Sequence, residues 1–553
     1  MRLLILLGLI YTSLWSSRLD DEIRFNIGNE SSKIKSLYAM NGNRPLWVGH
    51  AKNFNQFLEI LHNPYFNYKN KLFKQDTIDQ YSYLLHNDMN PDDNVQDLYK
   101  LEIALTSSYI DLANFIVKSD VDWESVRNKL HELKETKDIK ANWEMVKKRV
   151  PSVSELFNAI TSQDIATFYK SLTPLKKRHQ FLINSLERYQ NMYDVKKVRY
   201  GKDLKVGDSH PRIVNIKKRL VISGDFPYQE SYSDMFGEKL KSAMIQYKNR
   251  FNLEQNGVID KVMIYYLNKP INLLIKDIIT NLDKLKVFPN KFPSEVVIVN
   301  IPEFRMNYYK DSYPVLSMNA VVGRDVRPTP IFSSNMTYLV LNPTWNIPEN
   351  LVRRDLIDTL EKNPDYMKEH HIHAYRGWGK NSKEIKNFTA AKLLPYREGG
   401  TIPYRFVQSP GDDNALGRVK FMFPNKYSVY LHDTDNKDLL TRRYRVYSSG
   451  CMRLHHPMEF LEALKPRLGS AAKRVDKYLA SKKTKHLRFN RKLPVQTVYF
   501  TVFGRNGQTY FRKDIYGYDK FVREATPNNG LEVETFTPPP EVEKFDDSDG
   551  ILF

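Results

Sequence analysis

Cys451 is the one cysteine in 553 residues, and it stands directly behind three small residues, Ser448-Ser449-Gly450. A cysteine attacks a carbonyl carbon as its thiolate, and near neutral pH that form needs a neighbouring imidazole or a ring of N–H groups. Small residues before the sulfur suit a tight turn that exposes it. Such a turn also aims successive main-chain N–H groups at a developing oxyanion, which makes Ser449 and Gly450 candidate donors. His432 lies nineteen positions upstream, at the end of a short apolar alternation over residues 427–431, and is the candidate general base. The same residues also allow a plainer reading, a buried free cysteine and an unrelated histidine.

For the imidazole to reach the sulfur, the strand over residues 427–431 has to return beside the turn. Residues 295–301, 313–322 and 338–348 supply further strands. Residues 349–405 interrupt that pattern with a polar insertion carrying Arg353-Arg354-Asp355, Tyr366, Trp378 and Tyr404, and an insertion of this length reads as a lid. Beyond the cysteine, residues 457–468 read as a helix. Residues 495–503 and 508–512 read as a hairpin across Gly504-Arg505-Asn506-Gly507. Upstream, residues 18–200 are mostly helical. Residues 101–117 are apolar round much of the helix surface and therefore buried. Asn90-Pro91-Asp92-Asp93 is a helix start, and Pro151 is a helix boundary between residues 143–150 and 153–160. Residues 204–268 pattern as a compact three-helix unit with glycine-containing turns, followed by one more helix over 271–287.

His432, fifteen intervening residues and Ser448-Ser449-Gly450-Cys451 together resemble the signature of the L,D-transpeptidase catalytic domain. Ser449 stands where that family usually has His, and Arg453 where it has Asn. The variant Ser-Ser-Gly-Cys-x-Arg is similar to the long, multi-domain branch of the family found in Gram-negative bacteria. Other landmarks are Val321-Val322-Gly323-Arg324, Asn342-Pro343-Thr344-Trp345-Asn346-Ile347-Pro348, the stretch P-G-D-D-N-A-L-G-R-V-K-F over residues 410–421, and Asp514-Ile515-Tyr516-Gly517-Tyr518-Asp519. The resemblance implies a multi-domain α+β chain. A signal peptide (1–17) precedes a mostly helical scaffold domain (18–200). A small peptidoglycan-binding-like domain and linker helix (201–290) follow, then a β-rich, sandwich-like catalytic domain (291–524) with a capping loop (349–405), and a disordered tail (525–553). The three-helix unit resembles the type 1 peptidoglycan-binding domain, with Tyr247, Lys248 and Asn252 departing from its usual residues; a spacer bundle without a ligand is the alternative.

The chemistry implied is acyl transfer. Cys451 attacks the amide between the third and fourth residues of a stem tetrapeptide, D-Ala leaves, and a side-chain amine of a second stem resolves the thioester into a 3→3 cross-link. His432 serves as base and then acid. Arg453 can hold a stem carboxylate or form a structural ion pair, and Tyr430, on the strand face of His432, can bond substrate or pack. The same site also suits lipoprotein attachment or hydrolysis of the terminal D-Ala, and a catalytically inactive wall-binding scaffold is the reading from another class. Peptidoglycan is the expected partner, with cell-wall synthesis proteins as further candidates, and no cofactor is implied.

Composition agrees with several packed domains, since 41% of the residues are hydrophobic. Lys plus Arg exceed Asp plus Glu by 84 to 64, a net charge of +20. The densest basic run, residues 473–492, carries no zinc-finger spacing and no aromatic RNA-binding motif, so a solvated helix face is expected there rather than a nucleic-acid surface. Glu369-His370-His371-Ile372-His373 lacks the i, i+4 spacing of H-E-x-x-H and any following ligand pair, and no metal site is expected. Met1-Arg2-Leu3-Leu4-Ile5-Leu6-Leu7 opens a signal-peptide pattern, and no later run approaches the ~20 apolar residues of a membrane span. A periplasmic, wall-associated protein follows. In that oxidising compartment an unpaired thiol is a liability unless it has chemistry to perform.

Overall fold

The computed structural model describes residues 15–85, 94–192, 196–379 and 382–527. Most of the signal-peptide segment, the Asn90-Pro91-Asp92-Asp93 helix start and nearly all of the tail lie outside the described residues. The N-terminal part is helical and is built round Val95–Lys118, whose Leu101, Leu105, Tyr109, Leu112 and Ile116 are fully or almost fully buried. Glu102 is buried on the same helix. It accepts the N–H groups of Leu46 at 2.5 Å and Val48 at 2.8 Å, together with the Tyr38 hydroxyl at 2.8 Å. A buried carboxylate with this many donors fixes the chain after Ser32–Met40 as no apolar contact would.

Residues 143–150 are extended rather than helical. Trp143 bridges in parallel to Ile331, the Glu144 N–H donates to Ile331 O at 2.8 Å, and the Val146 N–H donates to Val287 O at 2.9 Å. Those long-range acceptors outcompete the helical ladder, and the helix begins only after Pro151, at Val153–Thr161, with a Ser152–Glu155 capping box. The segment becomes a strap from the helical part onto the β-rich part. Three helices follow, Arg212–Ile222, Glu238–Arg250 and Lys261–Leu267. The unusual residues fit there: Lys248 is buried against Asp260 at 2.5 Å, and Asn252 takes a left-handed φ of 55°, a conformation open to Gly and Asn. The next helix, Ile271–Lys284, is pinned to the β-rich part by Lys284–Asp519 at 2.5 Å and by Asn281 to Thr501 at 2.8 Å.

The β-rich part opens with β1 (Val296–Asn300), β2 (Arg305–Lys310), β3 (Tyr313–Gly323) and β4 (Ser333–Leu341). The insertion contributes β5 (Trp345–Ile347), β6 (Ile372–Arg376), β7 (Lys383–Ile385) and β8 (Tyr404–Gln408). Then come β9 (Val419–Met422), β10 (Leu431–His432), β11 (Val446–Ser448), β12 (Met452–Leu454), β13 (Lys485–Val498), β14 (Val502–Arg505) and β15 (Gln508–Phe511). The main sheet runs β11-β3-β12-β10-β9-β4-β13-β1-β2 and closes on itself because β3 also pairs with β2. The hairpin is β14–β15, turning through Asn506 and Gly507, both at positive φ. The basic run is only partly helical: Val475–Ala480 is a helix, and from Lys485 onward the chain is β13, held between β4 and β1. The insertion is more than a loop. It forms a second sheet, β5-β8-β6-β7, over its own core of Ile347, Leu356, Ile357, Leu360 and Phe406.

Gly323 ends β3 where no other residue fits. A β-carbon there would lie 2.1 Å from Arg327 O and 2.7 Å from Thr329 N, inside van der Waals contact with main-chain atoms that cannot swing away. Gly323→Ala is expected to destabilise the β-rich part by about 1–3 kcal/mol or more, read as a lowered midpoint of urea unfolding.

Candidate active site

β10 is two residues long. Leu431 pairs with Met452 and His432 with Arg453 in a parallel ladder, and on the other side Leu431 faces Phe421 and His432 faces Lys420. Side chains alternate across a sheet. Phe421, Leu431, Met452 and Leu454 therefore enter the main core, while Lys420, His432 and Arg453 share the opposite face. Tyr430 and Cys451 lie two positions before His432 and Arg453 and continue that face, with the Met452 N–H donating to Tyr430 O at 3.1 Å. His432 and Cys451 are thus on adjacent strands, two residues out of register, a backbone separation of about 8 Å that the two side chains can bridge. Among the described residues no hydrogen bond joins them directly.

Cys451 is half-buried, its thiol 4.0 Å from Ser428 O. Burial pushes the thiol up, and the Tyr430 N–H, the Arg453 charge, the Tyr430 hydroxyl and Lys420 pull it part of the way back. His432 is buried and donates Nδ1–H to Asp433 O at 2.5 Å, so Nε2 is left as the acceptor. Burial, followed by the Arg453 charge, brings its pKa down to about 3. The resting pair is therefore a neutral thiol and a neutral imidazole. The Asp433 carboxylate is occupied elsewhere, by the N–H groups of Arg418 and Thr434 (both 2.8 Å) and by Lys437. The group behind His432 is a main-chain carbonyl.

The turn is locked from several sides. Gly450 sits at φ 109°, which an L-residue rarely adopts. Its N–H donates to Ser448 Oγ at 3.1 Å, and its carbonyl accepts from Thr329 Oγ1 at 2.9 Å. The Gly450 N–H therefore faces into the turn, contrary to the expectation that it serves an oxyanion. The N–H groups of Ser449 and Cys451 have no acceptor among the described residues. Ser449 is exposed, and its hydroxyl accepts from Arg327 at 3.0 Å. Arg327 also pairs with Asp355 at 2.9 Å, on a π-helical stretch, Val352–Leu356, of the insertion.

Arg453 is buried, its Nε and Nη1 without a hydrogen-bond partner among the described residues, and burial disfavours its charge while Asp435 favours it. An orphaned guanidinium beside a thiol suits an anionic ligand. Tyr430 packs edge-on to His432, with ring centroids 5.5 Å apart, and its hydroxyl lies between Trp345 and the sulfur. Lys420 sits over the Tyr430 ring at 5.4 Å. Lys420, Arg327 and Trp345 were not anticipated as site residues; the alternation V-K-F-M is the one local signal for Lys420. The three insertion histidines face different neighbours: His370 against Tyr366, His371 on Asp413 and His373 on Glu384, the last two at 2.7 Å.

Residues 294–476 match the family model of the L,D-transpeptidase catalytic domain (YkuD), and residues 32–186 match that of the Scaffold domain. Over those residues the chain is similar to an L,D-transpeptidase catalytic domain and to a Scaffold domain. A Haemophilus influenzae protein described as "Putative L,D-transpeptidase" is 33% identical over 249 residues, which are 45% of this chain and 49% of that one. The chain thus spans about half the length of that curated relative. Similar solved structures include an L,D-transpeptidase from Mycobacterium smegmatis (11% identity, 37% of this chain and 58% of that one, TM-score 0.18). Another is an L,D-transpeptidase from Stackebrandtia nassauensis (10% identity, 57% and 100%, TM-score 0.20). No described helix is long and apolar enough to cross a membrane.

With a neutral resting pair, alkylation of Cys451 by iodoacetamide in the free protein is expected to climb steadily above about pH 7, without a plateau below about pH 8. Arg453→Met removes a charge that favours the thiolate and should slow alkylation near pH 8 by about ten-fold. A rate already flat by neutral pH would contradict the neutral resting pair.

Proposed function

We propose that the protein is a cysteine-dependent L,D-transpeptidase that forms 3→3 peptidoglycan cross-links in the periplasm. The observation that carries this reading is the shared face of β10 and β12, with His432 held as the Nε2-acceptor tautomer beside Cys451. In the proposed reaction His432 Nε2 takes the thiol proton as Sγ attacks the carbonyl of the third stem residue. The tetrahedral oxyanion is held by the Cys451 N–H and, with a small adjustment of the turn, the Ser449 N–H; one such donor contributes typically about 10²–10³ in rate. Collapse expels D-Ala, whose amine takes its proton from His432. An acceptor amine then attacks the thioester, losing a proton to the same imidazole and regenerating the thiol.

Arg453 supplies a fork for a stem carboxylate, and the Tyr430 hydroxyl steadies the sulfur. Ser449 works through Arg327, which ties the nucleophile turn to the insertion, so a capping role for residues 349–405 acts through Asp355. The domain unit at residues 201–290 is read as a wall-binding or spacer element. The same chemistry with water or a lipoprotein amine as acceptor would hydrolyse or anchor instead of cross-linking.

Mass spectrometry of stem dimers formed from purified muropeptides tests the reading. Cys451→Ala should give neither a thioester adduct nor dimers, and His432→Ala should lower kcat by about 10²–10⁴-fold. Arg453→Ala should act mainly by raising KM for stems with a free carboxylate. Dimers at the wild-type rate from Cys451→Ala would refute the assignment. Loss of D-Ala without dimers would mark a hydrolase.

A further inference from the structure

The peptide unit between Gly450 and Cys451 is trans and planar, so its carbonyl and its N–H point in opposite directions. Whatever holds Gly450 O therefore sets where the Cys451 N–H points. The holder is Thr329, 121 residues upstream, whose hydroxyl lies 2.9 Å from that carbonyl. Thr329 is fully buried, and its oxygen also accepts the Gly323 N–H at 2.9 Å. With the oxygen taken by a main-chain donor, the single hydroxyl hydrogen is committed to Gly450 O. A stiff backbone places that hydroxyl. Thr329 stands between Pro328 and Pro330, which fix their own φ and keep the residue before each of them extended. One step further back, the Tyr516 hydroxyl accepts the Thr329 N–H at 3.2 Å and donates to Gly323 O at 2.6 Å. The next peptide is held as well, since Ser448 Oγ donates to Cys451 O at 2.5 Å and accepts the Gly450 N–H at 3.1 Å. From Gly450 N to Cys451 O, the one main-chain polar group left without a partner among the described residues is the Cys451 N–H. A donor aimed in advance and not yet spent is what stabilises charge that develops only in a transition state.

We propose that Thr329 is a positioning residue for acyl transfer at Cys451: its hydroxyl, backed by Tyr516, holds the Gly450–Cys451 peptide so that the Cys451 N–H meets the developing oxyanion. The inference rests on the reading of Cys451 as the nucleophile. As Sγ bonds to the carbonyl carbon, the C=O π pair moves onto oxygen, and that oxygen takes the N–H. Gly450, at φ 109°, has no β-carbon to stop the peptide from turning once the Thr329 hydroxyl is gone. The hydrogen bond on Gly450 O also polarises the N–H of the same peptide, which strengthens it as a donor.

Two reactions of the same sulfur separate aim from mere support. Acetylation of the full chain by p-nitrophenyl acetate passes through an oxyanion: Sγ attacks the ester, p-nitrophenolate leaves, a thioester forms, and the thiol proton passes by way of His432 Nε2 to water. Alkylation by iodoacetamide displaces iodide and forms no oxyanion. Peptide mapping by mass spectrometry reads both at the single cysteine. Thr329→Val should slow acetylation by about ten-fold while alkylation stays within about two-fold of the wild type. Thr329→Ser, which keeps the hydroxyl, should recover most of the lost rate. Tyr516→Phe should slow acetylation by about three-fold, again without slowing alkylation, and it carries the test if Thr329→Val loses its cooperative thermal transition. Acetylation unchanged in both variants, or acetylation and alkylation slowed alike, overturns the proposal, as does a wild type that is alkylated but not acetylated. The ester carries no stem peptide, so these effects in a protein that makes no stem dimers support the inference and count against cross-linking alone.

Discussion

The parallel pairing of β10 with β12 is the constraint on which the rest depends. Two adjacent parallel strands cannot be joined by a tight turn and need a crossover of a dozen residues or more. Here the crossover is residues 433–451, which carry β11 on the other side of β3, and the fifteen residues between His432 and Ser448 make up most of it. The spacing that looks like a motif in the sequence is thus most of the length of chain needed to leave one strand and re-enter beside it. Residues in register across a ladder point to the same face of the sheet. His432 and Arg453 emerge together while Leu431 and Met452 enter the core.

The turn that carries Cys451 is held by segments far away in the chain. Thr329 receives the Gly323 N–H at 2.9 Å and bonds Gly450 O, and the Tyr516 hydroxyl donates to Gly323 O at 2.6 Å while accepting the Thr329 N–H at 3.2 Å. The glycine of V-V-G-R, the threonine of R-P-T-P and the first tyrosine of D-I-Y-G-Y-D are therefore parts of one hydrogen-bonded cluster. The glycine and the tyrosine were visible in isolated landmarks; together with Thr329 they hold the main chain of Gly450 at a φ other residues resist. Arg327 extends the cluster to the insertion, so the turn and the small second sheet are mechanically joined.

Two faces of the β-rich part concentrate positive charge for different reasons. Beside Cys451, Lys420 and Arg453 lower the cost of forming a thiolate and offer contacts to an anionic ligand, while the same charges, with burial, keep His432 neutral. Along the cavity lined by Arg305, Arg445, Arg505 and Arg512, main-chain carbonyls, the Ser317 hydroxyl and the Glu303 carboxylate hold the guanidiniums. The net charge of +20 is thus partly organised rather than spread evenly over a solvated surface.

Residue chemistry and short-range pattern were enough to mark Cys451 and His432 as candidates, to suit a glycine to the turn, to mark the insertion, and to divide the chain into helical and β-rich parts. These are properties of side-chain type, period and backbone conformation, which the local sequence carries. Tertiary structure alone decided the rest. Residues 143–150 are extended because Ile331 and Val287 offer hydrogen-bond partners, and Lys485 starts a strand because β4 lies alongside. The carbonyl behind His432, the hydroxyl beside the sulfur and the arginine on Ser449 come from positions whose roles exist only once distant strands are in register. Which long-range partner a polar group finds is set by the closed sheet, and no local period encodes it.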